Sequence, residues 1–160
     1  MVKSIGAVLV GILISLAIGA LEIFGIAAPV FTRFFSAGLV STTLPAIVVV
    51  FAAAFAFYFG GMAAAYRAPN RRRLHGVMVG VASFAISPII NITVSSRGVD
   101  PFANLRTPGG LLLTAVLVAA VLGASYVGAR RGEMLHAHNQ ATIRSQRSRK
   151  ARERLSDQDS

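Results

Sequence analysis

Glu22 is the one acidic residue inside a long apolar run, IGAVLVGILISLAIGALEIFGIA, at about residues 5–27. A carboxylate there must find a cation, a proton or the polar interface, so it is a functional candidate by default. It sits about five residues from the end of the run, roughly 7 Å in at 1.5 Å per residue. Arg33 and Arg97 are the basic residues expected near it as partners. A second group is Ser83, Ser87 and Asn91, spaced by four so that a helix would carry all three on one face, with Pro88 beside them. Hydroxyls and an amide in that array can bond a neighbouring helix, or line a path for a small solute beside a proline-broken turn. Glu133 and His136 form an E-x-x-H pair that would share a helix face, and His75 and His138 lie outside the apolar runs as well. No second ligand motif completes a metal set. Neither a Ser-His-Asp order, nor paired carboxylates in apolar sequence, nor a phosphate-cradling glycine loop is present. Nothing therefore nominates an enzyme, a cofactor or a metal.

The elements that must hold these residues are written in the composition. Of 160 residues 54% are hydrophobic and only 14% charged, with a mean hydropathy of +0.65. A soluble domain is nearer a quarter charged, so the expected solvent is lipid. Cysteine and tryptophan are both missing, which excludes disulfide and thiolate chemistry and leaves Tyr and Phe for any interfacial belt. Four apolar stretches, at about 5–27, 39–66, 74–94 and 109–129, each approach the ~20 residues that cross a bilayer as a helix. Backbone groups in lipid must be satisfied within the segment, and the alternation of a barrel strand is absent. Thr42-Thr43 before Pro45, and Thr107 before Pro108, read as helix starts. Pro88 should kink the third helix and free the carbonyl of Phe84. The fold expected is all-α, a polytopic bundle of four transmembrane helices spanning 1–132.

Charge sets the orientation. Thirteen of the sixteen Lys and Arg residues precede the first stretch, join the second to the third, or follow the fourth. Arg33, Arg97 and Arg106 fall on the other side. The positive-inside rule then puts both termini in the cytoplasm, in a cell inner membrane. The first stretch starts like a signal peptide, but it continues apolar to Ala28, as an uncleaved span does. Arg67, Arg71, Arg72, Arg73, Arg130 and Arg131 flank the inner ends and are candidates for anionic lipid headgroups. The net charge of +10 is thereby absorbed as topology, which argues against nucleic acid as a partner. Residues 133–160 are basic and polar with no apolar face, and are expected to be disordered.

Small residues recur every fourth place: Gly11, Ser15 and Gly19; Gly60 with Ala64 and Gly61 with Ala65; Gly76 and Gly80; Ala124 and Gly128. They let helix backbones approach, within one chain or between copies. The segments YRAPNRRRLH and YVGARRGEMLH, following the second and fourth stretches, share Tyr, arginines and Leu-His, as a duplicated hairpin would. The joint GGMAAAYRAPNRRRLHGVMVG, residues 60–80, resembles that of uncharacterised small bacterial four-helix membrane proteins, which read approximately GG-x-x-A, a short loop, then LHG-x-x-VG. Gly60, Gly61, Ala64, Leu74, His75, Gly76, Val79 and Gly80 carry the match, and Ala65 departs from the usual Gly. The resemblance implies a bundle in the cytoplasmic membrane and nothing catalytic. The expected role is a structural, assembly or accessory bundle, partnered by the bilayer and by another membrane protein or a second copy. The alternative is a small oligomeric transporter of a cation or small solute that uses Glu22 and the polar face of the third helix.

Overall fold

The computed structural model describes the backbone of residues 2–35, 43–94, 100 and 102–158, and the side chains of 4–29, 31–32, 45–87, 100, 102 and 105–150. Among the described residues every regular element is helical. Helix α1 spans Val2–Ala20 and passes through a π-helical segment, Leu21–Ala27, into α2, Ala28–Phe35. Then follow α3 (Thr43–Arg67), α4 (Arg72–Val94), a 3₁₀ turn (Ala103–Arg106) and α5 (Pro108–Gln158). Three of these helices are long and apolar enough to cross a membrane: Ser4–Ala27, Pro45–Arg67 and Pro108–Lys150, with mean hydropathies of 2.5, 2.2 and 2.2.

The first helix runs on to Phe35, past the expected end near residue 27. Pro29 lacks an N–H and its ring crowds the carbonyl of Gly25 four residues before it. The widened turn lies directly ahead of it, with the Ala28 N–H donating to the Ile23 carbonyl five residues back. The expected start of the second stretch, at 39–42, lies outside the described residues. Helix α4 continues through Pro88 and Asn91 to Val94.

The tail also differs from expectation. It is a helix to Gln158, continuous with the membrane-length segment of α5. Low hydrophobicity and high charge predict disorder for a free segment, yet this one extends a helix that already exists. The unfavourable nucleation step is therefore absent. From Glu133 to Gln158 there is neither Gly nor Pro, and Ala, Arg, Gln, Leu and Lys are good helix formers. At 1.5 Å per residue this arm is roughly 40 Å long.

Helix α3 lies at the centre, in contact with α1, α4 and α5, and α4 also packs on α1 and α5. The buried side chains are small: Ala7, Ser15, Ala56, Ala64, Ala65, Ala68, Val79, Val121, Ser125 and Ala129. Where α1 crosses α3, a Cβ placed on Gly11 would lie 2.7 Å from the Gly60 carbonyl oxygen, and one on Gly60 would lie 2.6 Å from that of Gly11. Where α3 crosses α5, a Cβ on Gly61 would come within 2.9 Å of Ser125 Cα, and one on Gly128 within 2.8 Å of the Tyr58 carbonyl carbon. Gly76 brings α4 equally close to both, with a would-be Cβ 2.8 Å from the Gly61 oxygen and 3.1 Å from Ala129 Cα. Backbone thus meets backbone where α1 crosses α3 and where α3, α4 and α5 cross one another, and dispersion contacts rather than large side chains hold these helices.

Candidate functional site

Glu22 lies in the π-helical segment and faces α3. It lines a cleft of about 630 Å³. The first helix contributes Glu22, Ile26, Ala27 and Phe31 to the wall. Helix α3 contributes Val48, Phe51, Ala52 and Phe55, which recur at helical spacing and so form one face, with Ala54 beside them. Glu22 Oε2 is buried and, among the described residues, has no hydrogen-bond partner. The side chains of Arg33 and Arg97, its expected partners, lie outside the described residues.

The polar face expected on the third helix opens on a different cavity, of about 300 Å³, at the junction of all four long helices. Ser83 and Ser87 line it, with Ile12 and Leu16 from α1, Phe57 from α3 and Val121 from α5 among its apolar walls. The two cavities share no lining residue, so the structure does not assemble Glu22, Ser83 and Ser87 into one site. The side chains of Pro88 and Asn91 fall outside the described residues. Ser125, which spacing did not single out, is fully buried beside Gly61 and Gly80, and its hydroxyl has no hydrogen-bond partner among the described residues. Ser15, by contrast, donates to the Gly11 carbonyl at 3.0 Å.

The arginine cluster divides by role. Arg73 pairs with Glu133 across α4 and α5, and its guanidinium is held above its ordinary range by that hydrogen bond first, with Tyr126 adding to it. Arg72 Nε donates to the Ala68 carbonyl at 3.1 Å, closing the end of α3. Arg71 has a left-handed backbone, φ 45°, and its carbonyl accepts from Leu74 N at 2.9 Å and His75 N at 3.3 Å to start α4. His75 Nδ1 lies 3.2 Å from the same carbonyl. Arg67, Arg71, Arg130 and Arg131 remain exposed, as headgroup contacts require.

Glu133 and His136 do not act together. Glu133 turns to Arg73, and the His136 ring packs edge-on against Tyr66 at 5.5 Å. The Tyr66 hydroxyl accepts from Asn139 Nδ2 at 2.9 Å. The two similar segments seen in the sequence therefore meet, Tyr66 of the first against His136 of the second. These contacts clasp the base of the α5 arm to the α3–α4 turn. At the opposite end Asp100 pairs with Arg106 at 2.8 Å and accepts from Phe102 N at 2.9 Å. Thr107 caps α5 by accepting from Gly110 N at 3.1 Å, one residue before Pro108, as the cap-then-Pro pattern predicts. Comparison with family models, with curated proteins and with solved structures gives no match.

Proposed function

We propose that the chain is a four-span protein of a bacterial cytoplasmic membrane, with both termini inside, that acts without catalysis by holding a basic helix at the inner surface for an acidic partner protein. The carrying observation is the continuity of α5, which leaves the bundle as a helix and is clasped at its base by Arg73–Glu133 and Tyr66–Asn139. A clasped arm points in one direction, and so loses less conformational freedom on docking than a free tail. Its outer part carries Arg144, Arg147, Arg149 and Lys150. At 100° per residue these cations surround the helix, unlike the one-sided distribution of a helix lying on lipid. That favours an acidic protein surface for the arm, and leaves exposed Arg67, Arg71, Arg130 and Arg131 for headgroups. The resemblance of residues 60–80 to small bacterial four-helix proteins accords with this reading, since Gly60, Gly61, Ala64, Gly76, Val79 and Gly80 are all packing residues.

The test is a photo-crosslinker at Ser145 in cells, with and without Arg144, Arg147, Arg149 and Lys150 changed to Glu. A discrete protein adduct that disappears on charge reversal, while membrane insertion and fold are kept, is the expected result. An arm that crosslinks only to lipid or nucleic acid, or whose adduct ignores charge reversal, refutes the reading. Glu22→Gln should leave the adduct unchanged.

A further inference from the structure

The cleft beside Glu22 is chemically lopsided. Among the described residues its wall holds one carboxylate and otherwise Ile, Ala, Val and Phe. Glu22 Oε2, buried from solvent and without a donor among the described residues, is a group that a bound donor would relieve. A carboxylate also favours a positive charge. Phe31, Phe51 and Phe55 surround the same space, and aromatic faces attract cations. The volume of about 630 Å³ suits a small organic molecule. An inorganic cation is a poor fit, because Ca²⁺ or Mg²⁺ needs about six oxygen ligands and the wall has a single carboxylate.

The route in is also visible. Ile26, Phe51 and Phe55 of its wall are more than half exposed on the protein surface, at 62%, 72% and 53%. In a spanning bundle that surface faces lipid, so the cleft opens sideways into the bilayer. Its ligand must therefore dissolve in the membrane. Glu22 further sits in a π-helical segment, a distortion that recurs at functional sites because it re-aims side chains.

We propose that this cleft binds a hydrophobic ammonium ion, a lipid-soluble protonated amine whose N–H donates to Glu22 Oε2 while its apolar body lies against Phe51 and Phe55. The ligand class is narrower than a cation or small solute in general. It also separates Glu22 from Ser83 and Ser87, whose cavity holds no charged group.

The test uses the full chain in phosphatidylcholine nanodiscs with two fluorescent probes, 1-naphthylmethylammonium and its neutral counterpart 1-naphthylmethanol. Saturable binding of the ammonium, at least tenfold tighter than the alcohol, is expected. Glu22→Gln should abolish that preference. Ala52→Phe, which narrows the cleft between Glu22 and α3 and keeps the carboxylate, should weaken binding of both probes at least tenfold. Equal binding of the two probes by the unmodified chain overturns the proposal, as does ammonium binding that survives both substitutions. Equal binding is also the outcome if an arginine of the chain already neutralises Glu22. Should Glu22→Gln fail to fold, the charged-to-neutral ratio of the unmodified chain and the effect of Ala52→Phe decide the matter. Truncation after Asn139 removes the docking arm and should leave probe binding intact, so the two proposals fail separately.

Discussion

Gly61→Ala should be one of the most damaging single-methyl additions in this protein, for a reason the geometry makes quantitative. The new Cβ would lie 2.9 Å from Ser125 Cα and 3.0 Å from its carbonyl carbon, with the Ser125 oxygen closer still. Carbon atoms rest at about 3.5–4.0 Å, so α3 and α5 must part by roughly 0.5–1 Å. The obstacle is backbone, and no rotamer change relieves it. Overpacking of this kind costs about 1–3 kcal/mol. Replacing Gly by Ala within a helix returns about 1 kcal/mol, leaving a net loss of up to about 2 kcal/mol. Two other glycines calibrate the effect. A Cβ on Gly123 meets nothing within 4 Å, so Gly123→Ala should be neutral or stabilising by up to about 1 kcal/mol. A Cβ on Gly80 meets Leu122 Cδ2 and Ser125 Oγ, both at 3.1 Å, which are side-chain ends able to move, so Gly80→Ala should fall between the two. Reversible unfolding in mixed micelles, followed by helical circular dichroism, ranks the three. Gly61→Ala within about 0.5 kcal/mol of Gly123→Ala, the ordinary scatter of surface substitutions, would refute backbone contact as the basis of the fold.

Ala141→Pro lies in the arm beyond the clasp, and should cost about 3 kcal/mol of local helix stability; circular dichroism should lose the helical signal of the distal segment while the thermal transition of the bundle stays in place. Exchanging the charges as Arg73→Glu with Glu133→Arg should restore the spin-label immobility of the arm that either single change reduces, and rising salt should weaken the restored contact because the pair is exposed. A cysteine in place of Gly98 should react with an impermeant reagent added outside intact cells and one in place of Asn70 should not; the reverse pattern would invert the proposed orientation.

The apolar stretches near 5–27, 39–66, 74–94 and 109–129 announced the long helices, because hydropathy over some twenty residues averages out local detail. The small-residue spacing likewise points to Gly11, Ser15, Gly60, Gly61, Ala64, Ala65, Gly76 and Gly80, which are buried, and to Gly19, which is only half-buried. On the fourth stretch the register was off by one: Ala124 is only half-buried, and Ser125, Ala129 and Gly132 complete the packed face with Gly128. Spacing alone cannot choose between adjacent stripes on a helix where small residues are abundant. The π-helical segment was not legible, since it follows from Pro29 acting on a turn whose own residues favour an ordinary helix. Nor was the arm, because composition describes a segment by itself and not as the continuation of a formed helix. The approach of His75 Nδ1 to the Arg71 carbonyl is likewise a contact that no residue pattern encodes.

The buried positions and the cavities divide the bundle in a way that links its two proposed activities. Described close crossings involve Gly11, Gly60, Gly61, Gly76, Gly128 and Gly132, in the half of the bundle nearer the Arg67–Arg72 turn. The Glu22 cleft and a second apolar hollow lie in the other half, among Glu22 to Phe31, Ala46 to Phe55 and Leu112 to Val116, and the Ser83–Ser87 cavity lies between, reaching back to Ile12 beside Gly11. Small residues draw backbones together at one end, and the Phe-rich start of α3 holds them apart at the other. Lipid supplies no force to close the gap, because tails solvate Phe and Leu as well as another helix does. Stability is therefore concentrated where the arm is anchored. The open half is free to admit a ligand without loosening the clasp. Coupling between the two would require α3 to shift as a unit, since it alone among the helices lines the Glu22 cleft and also carries Tyr66 of the clasp.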